Sequence, residues 1–288
     1  MKYAIYLPTF SPFGSASIIA GLARDAEQAG WDGMFIWDDV AGTDKDMTDP
    51  WIALAAAATA TQRIRLGALI TPLARRRPWK FARETVSLDH LSGGRLVVGV
   101  GAGGGQEQFG DLGDEPDQRK RGEMLDEGLQ IVTGLWSGQT FQFEGQHYHL
   151  KPTLFRPTPL QQPRIPIWVA GVWPHPRPLA RMARWDGMFP LFWGVQDVAE
   201  QRAYLRETVQ RVLNLRQENW PDAAEGSFDV IMTGETRADH PDHAREHVAG
   251  FAEAGATWWL ESLAPERGGG PAWTFNQLRE RVLAGPPC

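Results

Sequence analysis

Along the chain, a short apolar run is followed by a stretch with helical signals, and this unit occurs eight times. The runs are Tyr3–Leu7, Met34–Trp37, Ile64–Ile70, Leu96–Val100, the segment IPIWVAG, Gly187–Leu191, Phe228–Thr233 and Thr257–Leu263, all rich in Val, Ile, Leu, Phe and Trp. Continuous apolar runs suit parallel strands buried on both faces, and parallel neighbours need a crossover, usually a helix. Eight such units in 288 residues predict one domain over residues 1–288. The α/β fold expected is a single (β/α)8 TIM barrel, whose usual size is about 250 residues. An open doubly wound sheet is the competing arrangement, because periodicity does not by itself establish closure.

Local signals mark the helices. Ile18, Leu22 and Ala26 share a face of the first, and Gly30 is a plausible stop. Asp49-Pro50 opens the second, where aspartate caps and proline fits the first turn. The third begins near Pro78, and the fourth covers Arg119–Trp136. The pattern then breaks. TFQFEGQHYHL alternates with period two around Glu144-Gly145 and reads as a short hairpin inserted after the fourth helix. A proline-rich stretch, Pro152 to Pro166, leads back to the fifth strand. Further helices are expected over Val198–Arg216, Pro241–Ala254 and TFNQLRERVLAG.

Composition narrows the function. The chain is 42% hydrophobic with a formal net charge of -6, and its longest basic run is Arg75-Arg76-Arg77. A nucleic-acid or anionic-membrane surface is therefore not expected. The single cysteine, Cys288, allows no internal disulfide and suits a reducing compartment. MKYAIYLPTF reads as a strand rather than a signal peptide. No apolar stretch approaches the roughly 18–20 residues of a membrane span. A soluble, cytoplasmic protein is the expectation.

In a barrel the active site lies at the carboxyl ends of the strands. Those ends carry Pro8 and Phe10, then Asp38 and Asp39, then Leu69, Ile70 and Thr71. After them come Gly101, Ala102, Gly103 and Gly104, then Ala170, Gly171, Val172 and Trp173, then Phe192 and Trp193. Such a rim is rich in glycine and aromatics and poor in charge. Glycines admit close approach of a flat or phosphorylated ligand, and aromatics wall an apolar pocket. The Gly101–Gly105 spacing is not the dinucleotide fingerprint, and the next long helix starts only some fifteen residues on. A nicotinamide dehydrogenase with an open sheet is thus a weaker reading.

Several segments carry a resemblance. GWDGMFIWDD, TPLARRRPWKFARETVSLDHLSGGRLVVGVGAG, RGEMLDEGLQIVTGLWSG followed by FEGQHYHL, PIWVAG and GATWWLE resemble the luciferase-like family of flavin-dependent oxidoreductases. The resemblance covers nearly the whole chain. It implies a barrel that holds FMN, as in monooxygenases using reduced FMN and oxygen, or the deazaflavin coenzyme F420, which transfers hydride. It also implies a small-molecule substrate, a separate flavin reductase where FMN is used, and a homodimer as the oligomeric form to test. Compact length leans toward the deazaflavin branch.

By the same resemblance, Asp38 and Asp39 stand where members carry an acidic residue and a histidine, so Asp39 is a departure. Both are the catalytic candidates, and a carboxylate works there as acid or base only with a raised pKa. Leu69-Ile70 matches a cis peptide pressed against the cofactor ring. Ala102 and Gly104 match positions near its phosphate. Ala102 replaces an arginine of some members, a role Arg121 could fill with the amides of Gly171, Val172 and Trp173. Pro8, Leu69, Ile70, Thr71, Gly101, Gly103 and Ala170 complete the cofactor set; Phe10, Phe192 and Trp193 are the substrate candidates.

Plainer readings stand beside these. Asp38 and Asp39 could simply cap the segment after them, and a passive flavin-binding protein on the same barrel would also fit the missing histidine. Arg75, Arg76 and Arg77 read as solvated charges or partner contacts rather than substrate clamps. His90 reads as structural, and His147 and His149 lack a third ligand, so no metal is expected. Trp258 and Trp259 should face opposite sides of the last strand, one into the barrel and one under a helix.

Overall fold

A computed structural model of the chain describes residues 1–41, 44–105, 107–266 and 272–287; Cys288 lies outside them. In chain order the elements begin β1 (Lys2–Leu7), α1 (Ala16–Gln28), β2 (Gly33–Ile36), α2 (Pro50–Ala60), β3 (Arg65–Ala68), β4 (Thr71–Pro72), α3 (Pro78–Ser92), β5 (Val98–Gly101) and α4 (Gln118–Trp136). They continue β6 (Thr140–Glu144), β7 (His149–Leu154), β8 (Ile167–Val172), α5 (Pro176–Arg184), β9 (Gly187–Leu191) and α6 (Val198–Asn219). The last are α7 (Pro221–Ala224), β10 (Asp229–Gly234), α8 (Pro241–Glu253), β11 (Trp258–Ser262) and α9 (Phe275–Leu283).

The strands run β3-β2-β1-β11-β10-β9-β8-β5-β4, every neighbour parallel. First and last strands in sequence are thus side by side. Leu66 of β3 bridges to Leu96 just before β5, and β4 carries the line of β3 onward to pair with β5. The ring closes as a TIM barrel, and the open sheet is excluded.

The expected strand Ile64–Ile70 is two strands. β3 ends at Ala68 and pairing resumes at Thr71, with a cis peptide between Leu69 and Ile70, as the resemblance implied. The Leu69 carbonyl leaves the ladder and accepts the Tyr6 hydroxyl at 2.6 Å. A second difference is α5, a helix that the sequence reading did not place between the fifth and sixth strands. Pro176 takes its first turn, and Leu179, Met182 and Ala183 are its buried face. After α4, β6 and β7 pair antiparallel as a separate two-stranded sheet with a register shift between Phe141 and Phe143. Glu127 of α4 anchors their turn, accepting from the amides of Gln146, His147 and Tyr148 at 2.8, 3.0 and 3.1 Å.

An aromatic plug fills the lower barrel. The rings of Phe35, Trp168 and Trp258 lie 5.0–5.8 Å apart, tilted or edge-on, a favoured geometry for aromatic packing. Asp229, at the start of β10, accepts both indole N–H groups at 3.2 and 3.0 Å, so neither tryptophan is left unpaired beneath the barrel. Trp259 faces outward instead, against His247 and Phe251 of α8, as alternation predicts. With the amino-terminal end plugged, the opposite mouth is where a ligand can enter. Among the described residues no helix is long and apolar enough to cross a membrane.

Candidate active site

A cavity of about 1240 Å³ opens at the carboxyl ends of the strands. It brings together Asp38 and Asp39 after β2, Leu69 and Ile70 after β3, Ala102, Gly103 and Gly104 after β5, Ala170, Gly171 and Val172 of β8, and Trp193 after β9. Residues scattered over much of the chain thus meet in one wall because the strands form a ring.

The two aspartates have opposite surroundings. Asp38 is 3% exposed. Its carboxylate accepts from Arg75 Nη2 at 2.9 Å, Arg76 Nη2 at 3.0 Å, Thr71 Oγ1 at 2.8 Å and Trp51 Nε1 at 3.1 Å. Every lone pair facing the protein is occupied, and two guanidinium groups balance the buried charge. Arg75 and Arg76 are therefore not the solvated charges expected of them. A buried carboxylate requires such partners, and the turn between β4 and α3 supplies them.

Asp39 makes no hydrogen bond or ion pair with a described residue, and it is half-buried in the cavity wall. Burial raises its carboxyl above the ordinary range; Arg75 opposes this, while Asp38 and Glu107 reinforce it. Its backbone is pinned on both sides. Arg75 donates to the Asp38 carbonyl, and Gln108 accepts from Val40 N at 3.1 Å and donates to the Ala41 carbonyl. Arg75 Nη1 also reaches Gln108 Oε1 at 3.1 Å, which joins the two clamps. A proton-binding group with a raised pKa thus sits on a rigid support at the cavity.

The glycine loop is packed tightly at Gly103, against Phe109 and Pro72, and open at Gly104. Gly103 has φ +71, and a Cβ there would fall 2.6 Å from Phe109 Cζ and 2.9 Å from Pro72 Cβ. At Gly104 a Cβ would meet nothing within 4 Å. Arg121 is not free to clamp a phosphate. Its guanidinium donates to the carbonyls of Ala102, Pro116 and Glu115 at 2.9, 2.7 and 3.1 Å and lies 4.1 Å over the Phe109 ring. It shapes the loop from behind.

Other expected residues also stand behind the wall. Thr71 is buried and spent on Asp38. A Cβ at Gly101 would strike Ile70 Cδ1 at 2.3 Å, so this glycine makes room for Ile70. Trp173 stacks on Tyr204 at 4.1 Å and meets Phe192 edge-on at 6.2 Å. Phe10 packs edge-on against Trp37, and Pro8 is buried at the end of β1. Thr71, Gly101, Trp173, Phe192, Phe10 and Pro8 therefore do not line the cavity.

Residues the sequence reading missed include Tyr6, Trp37, Arg75 and Gln108, together with the arginines of α5. Tyr6 had a signal: alternation along β1 places it on the face of Ala4, inside the barrel. Burial pushes its phenol far above the ordinary value, with Asp39 contributing, so it stays protonated and able to donate. No described group of His, Cys, Asp and Glu could hold a metal.

The fold has counterparts among solved structures. A monooxygenase from Streptomyces bottropensis superposes with a TM-score of 0.76 at 22% identity, covering 99% of this chain and 98% of that one. At the sequence level, an uncharacterized protein of Mycobacterium tuberculosis is 36% identical over 238 residues, covering 82% of this chain and 76% of its own. An F420-dependent glucose-6-phosphate dehydrogenase of Nakamurella multipartita is 31% identical over 182 residues, 61% of this chain and 52% of that protein. A family model for luciferase-like monooxygenases matches residues 1–277, and the chain belongs to that luciferase-like family.

Proposed function

We propose that this chain is an oxidoreductase using the deazaflavin coenzyme F420, in which Asp39 handles the proton of a small alcohol or carbonyl substrate. The observation that carries the reading is the free Asp39 carboxyl, raised by burial, on the wall of a large cavity with a glycine-lined floor. The lining fits a flat cofactor with an anionic group: Ile70 and Leu69 offer a wall for a ring, and the backbone at Gly104, beside which a Cβ would meet nothing within 4 Å, leaves open space for a phosphate. When bound, the deazaflavin accepts or donates a hydride. Asp39 takes the hydroxyl proton as an alcohol carbon loses hydride, or returns a proton to the oxygen in reverse. Tyr6, whose donor is already committed to Leu69, holds the ring-facing backbone in place. The relative named for F420 supports this choice of cofactor.

Titration of the protein with F420 and, separately, with FMN tests the reading, followed by absorbance at the deazaflavin band. Tight F420 binding with anaerobic, substrate-dependent bleaching or recovery is expected. Binding of FMN alone with oxygen-dependent product would replace hydride transfer by oxygenation. Binding with no turnover on any alcohol or carbonyl would point to a passive carrier.

A further inference from the structure

Asp39 and Trp193 stand on opposite sides of the cavity mouth. Asp39 follows β2 and Trp193 follows β9, and the ring runs β2-β1-β11-β10-β9 one way and β2, the β3–β4 line, β5, β8, β9 the other. On the arc from β2 through β1 to β9 the described lining residues are Tyr6, Trp37, Asp38, Asp39, Leu191 and Trp193, with no cation among them. Arg75, beside Asp39, is already spent on Asp38 and Gln108. The other lining arginines belong to α4 and α5, which follow β5 and β8 on the far arc. Glu107 adds negative charge near Asp39. A phosphate or carboxylate on a substrate at this end would meet repulsion and gain no counter-ion.

The same arc is aromatic from the floor up. Tyr6 of β1 meets Phe189 of β9 edge-on at 6.2 Å and Trp37 at 6.0 Å, so rings from both sides close the barrel beneath the cavity. Phe189 and Leu191 alternate to the inner face of β9, and Trp193 lines the cavity two residues further on. A tight turn holds it at the rim: Val195 N donates to the Phe192 carbonyl at 3.2 Å, and Gly194 takes φ +80. Trp193 is 67% exposed and makes no hydrogen bond or ring contact with a described residue. Its neighbour Trp173 is instead stacked on Tyr204 at 4.1 Å. A large bare ring inside a cavity is a surface for a ligand to cover. The cavity's 1240 Å³ exceeds the roughly 300–1,000 Å³ of a usual small-ligand site, so a substrate has room beside a cofactor.

We propose that the substrate is an uncharged alcohol bearing an aromatic ring, with the ring on Trp193 and the hydroxyl at Asp39, an inference that rests on the cofactor reading above. The carbinol carbon loses a hydride, and with it two electrons, to the oxidised deazaflavin. The hydroxyl proton passes to Asp39, and the product is the aromatic carbonyl compound. Anaerobic kinetics with F420 test this by comparing 1-phenylethanol, 2-propanol and glucose 6-phosphate. Calorimetry follows acetophenone, the ketone product, on enzyme loaded with oxidised F420, where it does not react. Wild type should favour 1-phenylethanol over 2-propanol by about ten- to hundredfold in kcat/KM, the worth of burying one ring, and should not turn over glucose 6-phosphate. Trp193→Ala should cut that ratio by about three- to tenfold and weaken acetophenone by a similar factor, the range for a lost ring pair. Trp193→Phe should restore most of both. The side chain is exposed, so the fold should tolerate either change, and thermal melts check that.

A wild-type ratio near one overturns the substrate class, and so does glucose 6-phosphate as the better substrate. An unchanged ratio and an unchanged acetophenone affinity in Trp193→Ala also overturn it, because the ring would then lie elsewhere. In each of these cases F420 that binds and is reduced by another alcohol leaves the cofactor reading standing. If F420 does not bind, the cofactor reading fails and the substrate class falls with it.

Discussion

Asp38 and Asp39 are adjacent and chemically alike, yet their neighbours give them separate work. Asp38 is a counter-ion. Replacing it with alanine leaves Arg75 and Arg76 buried against each other, and breaking a buried pair from one side costs about 3–5 kcal/mol. Asp38→Ala should lower the melting temperature sharply and loosen the backbone that carries Asp39; Asp38→Asn should fall less, since its amide oxygen still accepts. Asp39→Asn should do the reverse. Its folded-state carboxyl is raised, so the proton stabilises the fold below the unfolded-state pKa, and that contribution disappears as pH climbs through the folded value. Removing the ionisable group should therefore leave the melting temperature at neutral pH the same or higher, while turnover drops by about 10²-fold or more. In wild type, alcohol oxidation should rise with pH through the raised Asp39 pKa, and the variant should lose that limb. Thermal melts and pH–rate profiles on both variants check this; a flat wild-type profile would remove Asp39 from proton transfer. Sequence alone singled out both aspartates but could not separate them. The separation depends on Arg75, Arg76, Trp51 and Thr71, which come from three other elements or turns and converge only in the folded ring.

At the level of elements, legibility followed periodicity. β1, β2, β9 and β11 were readable because they are short, apolar and bounded by turns, and α2 and α3 because Asp49-Pro50 and Pro78 mark their starts. α5 was not readable. Two prolines in its first turn mask a nine-residue helix whose apolar face has only three buried side chains. Missing that helix also hid its arginines, so the charged end of the cavity could not be anticipated. The split of the third strand was invisible to periodicity, because Leu69 and Ile70 continue the apolar run while leaving the ladder. The family resemblance supplied what the pattern lacked. Arg121 shows the opposite error: a cation near a glycine loop invites a ligand role, but five loop residues gather around its guanidinium instead.

On the scale of the whole molecule, function depends on closure, and closure depends on one narrow seam. β3 and β5 come together through the Leu66–Leu96 bridge and the hydrogen bond from Val97 N to the Leu66 carbonyl at 2.8 Å. Gly67 makes that approach achievable: a Cβ there would sit 2.3 Å from the Val97 carbonyl oxygen, backbone that cannot swing aside. Eight strand–helix units announced a barrel, but no sequence pattern identified which glycine held its last joint. Gly67→Ala should push β5 from β3 and cost about 1–3 kcal/mol, as overpacking does. The strain falls two residues before Leu69-Ile70, so the cavity wall they form should shift with it. Deazaflavin affinity should drop along with the melting temperature. Gly21→Ala is the control, since its Cβ would meet nothing within 4 Å on α1; the helix should gain about 0.5–1 kcal/mol and binding should not change. If Gly67→Ala melts like wild type and binds like wild type, the seam is more yielding than this geometry implies, and the site does not depend on it.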